Sequence, residues 1–245
     1  MKLTGYGISD TGRVKQVNQD SLFYGISPNG DAGIFAVADG VGGLQFGEVA
    51  SAKATENIEK WWQEFLVSGI GSDSEKTVDS LSALIFKING EIYSFNETNQ
   101  TKSATTLSLI IIYGDSYYIA HVGDSRVYAF VDEEKKIYQL TTDHSTDIVK
   151  ERDGRKYIQS ALTDGLGHRK SIKCDLSFGP LNDSVSAFLV CSDGIYKKQS
   201  DEVIAQIISA GAEEKQICEN LIEGAKQAGE SDNITAAFFR PDYHK

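Results

Sequence analysis

The stretch Gly33-Ile34-Phe35-Ala36-Val37-Ala38-Asp39-Gly40-Val41-Gly42-Gly43 constrains this chain more than any other. Its apolar part, Ile34 to Ala38, is continuous rather than alternating and is bounded by glycine, which reads as a strand buried on both faces. The run stops on a carboxylate. Asp39 therefore falls where the backbone leaves the core and can meet solvent, metal or substrate. Glycines directly after it let the chain turn tightly and let a main-chain carbonyl approach a ligand with no Cβ in the way. Alone, Asp-Gly after a strand is an ordinary turn.

The same grammar recurs. Tyr117 to Gly123 ends on Asp124, Ala187 to Ser192 ends on Asp193-Gly194, and Asp232-Asn233 immediately precedes the apolar run Ile234 to Phe239. If these strands lie in adjoining sheets, their aspartates converge, and unpaired carboxylates brought together repel or take up protons. A hard divalent cation such as Mg²⁺ or Mn²⁺ resolves that conflict, because it accepts carboxylate and carbonyl oxygens together with water. The spacing is too wide for a local ion-binding loop, so the site is one that the fold must assemble.

Composition narrows the partners. A formal charge of −11 argues against a nucleic-acid phosphate track, which rests on clustered Lys and Arg, and leaves basic protein surfaces open. Cys174, Cys191 and Cys218 are odd in number and lack C-x-x-C spacing, which implies reduced, mostly buried thiols. No secretory segment opens the chain, and no apolar run is long enough to span a membrane. A soluble, cytoplasmic protein is expected, folded as a single domain over residues 1–245.

Strands are expected over Leu3 to Ser9, Ser21 to Ile26 and Ile34 to Ala38. Helical spacing follows in two stretches, Ala50 to Phe65 and Leu81 to Phe95, joined by a short Gly/Ser loop as an antiparallel pair that can cover one face of a sheet. Thr106 to Tyr113 and Tyr117 to Val122 form a hairpin about Gly114-Asp115-Ser116, followed by strands over Arg126 to Val131 and Ile137 to Leu140. A polar section runs from Thr141 to about Lys170, in which His144 beside Asp143 invites an acid/base reading, although a helix N-cap aspartate with a neighbouring histidine is the commoner arrangement. Arg126 can pair with a carboxylate or face water. Strands over Ile172 to Phe178 and Ser186 to Cys191, helices over Asp201 to Ala210 and Lys215 to Ala228, and the last strand complete the chain. Strands joined mostly by hairpins imply antiparallel sheets with helices packed outside, an α+β fold.

Eight segments, taken in order, then carry a resemblance. They are Asn18 to Ser21, Val37 to Gly43, Gly47 to Ser51, Thr105 to Leu107, Val122 to Tyr128, Thr142 to Ser145, Cys191 to Gly194 and Ser231 to Thr235. Together they resemble the metal-dependent type 2C Ser/Thr protein phosphatase family in its compact bacterial form. The resemblance implies a four-layer α-β-β-α sandwich of two mainly antiparallel sheets flanked by antiparallel helix pairs. It also implies two Mn²⁺ or Mg²⁺ ions, with Asp39 bridging both, Gly40 giving its carbonyl to one, and Asp193 and Asp232 binding the other. Asp124 matches the aspartate of a third, weaker metal site, and Asp20 an acidic position that orients metal-bound water.

The implied activity is hydrolysis of phosphoserine and phosphothreonine in proteins by a water or hydroxide held between two cations, which loses its proton near neutral pH. Substrates would be phosphoproteins made by a Ser/Thr kinase, and a lone catalytic domain of this kind is expected to be a monomer. The chain departs from the family in three places. Lys15 stands where a phosphate-gripping Arg is usual, keeping the charge without the bidentate geometry, and Arg13 is the candidate to compensate. Val41 stands where eukaryotic relatives carry a histidine proposed as general acid. The flap between Ser145 and Asp164 is shorter than in most bacterial members. Two other readings share these residues: a pseudophosphatase that binds phosphoproteins without cleaving them, and a hydrolase of small phosphate esters.

Overall fold

In the structure, a computed structural model that describes residues 1–152 and 155–243, the founding strand is β3 (Ala32–Asp39). Its unbroken apolar run is the sum of two alternating faces. Ile34, Ala36 and Ala38 pack toward a pair of helices, while Phe35 and Val37 pack into a second core between two sheets. A strand with an apolar environment on both sides has no polar register to alternate with.

Around it run β1 (Lys2–Asp10), β2 (Asp20–Ile26), β4 (Leu107–Tyr113), β5 (Ser116–Val122), β6 (Arg126–Val131), β7 (Lys136–Gln139), β10 (Asp175–Pro180), β11 (Ala187–Cys191) and β12 (Ile234–Asp242). One sheet has the order β10-β5-β4-β3-β2 and the other β1-β12-β11-β6-β7. All their pairings are antiparallel. The helices α1 (Gly47–Ser68) and α2 (Ser74–Asn99) cover the outer face of the first sheet through Ile58, Trp62, Leu81, Ile85 and Ile88. α4 (Asp201–Ser209) and α5 (Glu214–Gln227) cover the second through Ile204, Ile208, Ile217 and Leu221. The result is the expected four-layer α-β-β-α sandwich.

Where the sheets meet, aromatic rings set the spacing. Phe35 stacks on Phe239 with ring centroids 4.0 Å apart, and Phe239 lies 5.1 Å from Phe188. Gly5 makes room for this stack: a Cβ there would come within 2.6 Å of the Phe35 ring.

Three sequence expectations change. The polar section after Thr141 contains a two-stranded antiparallel hairpin, β8 (Ser145–Arg152) and β9 (Arg155–Leu162), that joins neither large sheet. No helix follows Asp143, so it caps none; it pairs with Arg126 instead, and His144 leads directly into β8. The strand expected over Ile172 to Phe178 begins later, at Asp175, on the edge beside β5. A one-turn helix, α3 (Asp193–Tyr196), also follows β11 directly. Cys174 is partly buried and Cys191 and Cys218 are buried, all three as free thiols.

Candidate active site

Asp39 and Asp20 are opposite one another in the β2–β3 register. Asp20 is held by the other sheet: its Oδ2 accepts hydrogen bonds from Ser192 Oγ at 2.8 Å and Thr235 Oγ1 at 2.6 Å. Asp39 is fixed through its main chain, whose carbonyl accepts from Thr105 Oγ1 and Thr106 N and whose N–H donates to Thr106 Oγ1 at 3.0 Å. The threonine pair that was legible only as a motif thus acts as a backbone clamp on the strand end. Gly40 follows at a crowded point, since a Cβ would lie 2.6 Å from the Gly47 carbonyl carbon and 2.8 Å from the Gln19 oxygen.

The second sheet supplies Asp193, the first residue of α3, and Asp232, just before β12. Gly194 lets these two segments close on one another; a Cβ there would sit 2.1 Å from the Asn233 carbonyl oxygen. Asn233 then gathers the loop between β1 and β2. Its Oδ1 accepts from Gln19 N at 2.9 Å, and its Nδ2 donates to the carbonyls of Thr11 and Val17. That loop carries Lys15 to Asp232, Nζ to Oδ1 2.8 Å. Arg13 turns the other way, to Glu223 on α5 at 3.2 Å, with both side chains exposed. Asp124 comes from the link between β5 and β6, which crosses from one sheet to the other.

Five carboxylates thus share one field. Burial, then the charges of Asp20, Asp193, Asp124 and Asp232, push Asp39 well above the usual carboxylate range. Burial likewise raises Asp20 to about 6 and Asp124 to about 6, with Asp193 adding to both. Asp193 is raised by burial too, against the opposing charge of Lys197, whose Nζ pairs with its Oδ2.

Among the described residues, no three carboxylate, imidazole or thiol groups form a ready-made cage for an ion. The donor set nevertheless suits a hard divalent cation. Asp20 Oδ1 and Asp193 Oδ1 are buried with no hydrogen-bond partner, and an orphaned buried carboxylate oxygen is costly unless a cation or proton meets it.

Asp39, Asp124, Asp193 and Asp232 line a cleft of about 440 Å³. Its other wall is the β8–β9 hairpin, which contributes Ile148, Lys150, Ser160, Ala161 and Leu162, with Asp164, His168 and Val41 nearby. Sequence reasoning singled out neither Lys150 nor Lys197. Lys197 was within reach of it, four residues after an aspartate, had the helical turn at Asp193 been foreseen. Arg126, which the sequence left open, is structural: it forks onto Asp143 at 2.7–3.2 Å, donates to Tyr128, and lies 3.5 Å above the Tyr196 ring. His144 Nε2 bonds Asp175 Oδ2 at 2.9 Å, and its Nδ1 accepts from Gly123 N.

Comparison with known proteins shows what the chain as a whole is similar to. The Listeria monocytogenes serine/threonine phosphatase stp is 29% identical, over 96% of this chain and 94% of its own length. The crystal structure of the Mycobacterium tuberculosis serine/threonine phosphatase PstP/Ppp superposes with a TM-score of 0.80 at 25% identity, covering 99% of this chain and 100% of that one. Serine/threonine phosphatase Stp1 from Staphylococcus aureus reaches 0.84 at 22% identity over 99% and 96% of the two chains, a likeness of fold. The sequence model of the family described as Protein phosphatase 2C matches residues 11–222. With that match over most of its length, on two facing sheets whose ends bring the motif aspartates together, the chain belongs to the protein phosphatase 2C family.

Proposed function

We propose that this chain is a metal-dependent Ser/Thr protein phosphatase that hydrolyses phosphoserine and phosphothreonine in proteins. The observation that carries the reading is the convergence, from the ends of both sheets, of Asp39, Asp124, Asp193 and Asp232 at one cleft, with Asp20 paired opposite Asp39, in a member of this family. Its relatives bear the name serine/threonine phosphatase, which supports the substrate class.

Asp39, the Gly40 carbonyl, Asp193 and Asp232 would hold two Mn²⁺ or Mg²⁺ ions, and Asp124 a third, weaker one. Such cations supply water activation near neutral pH and neutralise phosphoryl charge. The chain's own groups do the rest. Asp20, with Oδ2 anchored by two hydroxyls across the sheets, keeps Oδ1 free to orient the attacking water. Lys15 reaches the cluster edge beside Asp232 and supplies a point charge for the phosphoryl oxygens. Arg13, engaged by Glu223, stays outside the cluster and bears on it through the loop it shares with Lys15.

Water oxygen bonds to phosphorus as the phosphorus–oxygen bond to the Ser or Thr side chain breaks. That oxygen leaves with a proton, which comes from solvent or from another residue of the cleft, since Val41 offers no imidazole. We assign the whole of residues 1–245 to one catalytic domain. The described residues contain no helix long and apolar enough to cross a membrane, and a cytoplasmic monomer opposing a Ser/Thr kinase in signalling is the setting this reading supports.

The test is phosphate release from a phosphothreonine peptide in Mn²⁺, in Mg²⁺ and in EDTA, beside Asp193→Asn. Release that needs the metal and disappears in the variant is expected. Metal-independent turnover, or a trapped phosphoenzyme, would overturn the reading.

A further inference from the structure

Lys197 is the side chain at the cluster that no motif explains. It follows the single turn of α3 and returns its ammonium to Asp193 Oδ2, one helical turn back. The Asp193 side chain is one-tenth exposed and that of Lys197 44% exposed, so the pair joins a buried carboxylate to an ammonium at the mouth of the site. The strongest negative influences on Lys197 come from Asp193, Asp124 and Asp39, and its charge in turn is an attractive influence on Asp124. Lys197 also lines the cleft beside these three carboxylates and Asp232. Lys15, from the loop between β1 and β2, pairs with Asp232.

The charges set a limit. Five carboxylates against the two ammonium groups paired with them leave three negative charges, and Lys150 and Asp164 on the cleft wall offset one another; that is more charge than one divalent cation neutralises and less than two do. One divalent ion leaves the cluster with a single negative charge and a second makes it positive, so a third would have to enter an already positive cluster, where the field is weakly screened. An ammonium is also a compact, strongly hydrated point charge that neutralises a carboxylate without imposing a coordination geometry.

We propose that Lys197 is a resident cation of the site: its ammonium takes the Asp193–Asp124 side of the cluster and so limits the number of divalent ions the protein holds. The inference rests on the metal-dependent reading above. It makes Lys197 a positioning residue, acting through Asp193 and Asp124, and it implies that ion occupancy is set by the chain as well as by metal supply.

Mn²⁺ uptake tests it without any turnover. Equilibrium dialysis of the full chain, with free Mn²⁺ read by electron paramagnetic resonance, gives ions bound per chain. Lys197→Met, which keeps the length of the side chain and removes its charge, should bind one more Mn²⁺ than wild type at the same free concentration. Lys197→Arg, which keeps the charge, should match wild type, and adding Asp124→Asn to Lys197→Met should abolish the extra ion. Equal uptake by wild type and Lys197→Met overturns the inference and leaves the phosphatase reading standing. Absence of Mn²⁺ binding in every variant overturns both.

Discussion

Asp124 is buried, 8% exposed, and its folded-state pKa rises from 3.8 to about 6, chiefly through burial and then through Asp193. A carboxyl whose folded pKa lies above its unfolded one binds more protons when folded, so stability falls as pH rises from about 4 to about 6 and is level above that window. At pH 7 without divalent metal, the ionised group therefore costs roughly 3 kcal/mol, and at pH 5 about half as much. Asp124→Asn keeps the shape and removes the charge. After about 1 kcal/mol for burying the amide, the variant should be more stable than wild type by roughly 2 kcal/mol at pH 7 and by under about 1 kcal/mol at pH 5. Urea titration in EDTA at the two pH values reads both numbers, and saturating Mn²⁺ should shrink the gain at pH 7, because a cation then meets the charge that wild type carries. A variant no more stable at pH 7, or a gain equal at both pH values, would refute the account of Asp124 as a charge held against its solvation.

Lys15→Ala should raise KM for a phosphopeptide about 10-fold, the scale of one lost contact to a charged group in a half-open site, whereas Arg13→Ala should leave it unchanged because Glu223 holds that guanidinium at α5. Steady-state kinetics of the two variants side by side check this, and a larger effect at Arg13 would reverse the assignment. Phe35→Ala removes a wholly buried ring stacked between the sheets and should cost about 3–5 kcal/mol in denaturant unfolding; a loss under about 1 kcal/mol would mean that the two sheets collapse onto the gap.

The carboxylate site was largely legible because strand-end aspartates announce themselves by contrast: each interrupts an apolar run, and a buried charge has few structural excuses. The layered fold was legible for the same reason, since β3 could be continuous only with a core on each side. The β8–β9 hairpin was not. It pairs with neither large sheet, and Ser145 to Arg152 offers neither a continuous apolar run nor a period-two alternation, the local signals by which a strand is read. Asp143 misled because Asp before a polar stretch is a common cap, and its actual partner, Arg126, is distant in sequence and visible only once β6 and the following loop are adjacent. Lys197 stayed hidden because a single turn of helix leaves no periodicity to read.

The two hydroxyls that grip Asp20 belong to the sheet opposite its own. Asp20 and Asp39 sit on one sheet and Asp193 and Asp232 on the other, so the gap between the sheets is itself a dimension of the ion site. Loosening the Phe35–Phe239 stack would therefore reach the chemistry as well as the melting curve, as the carboxylates drifted out of range of one another. Mg²⁺, which demands near-ideal octahedral geometry, would be lost first. The aromatic core is in this sense a gauge block, and metal preference is a readout of how well it is seated.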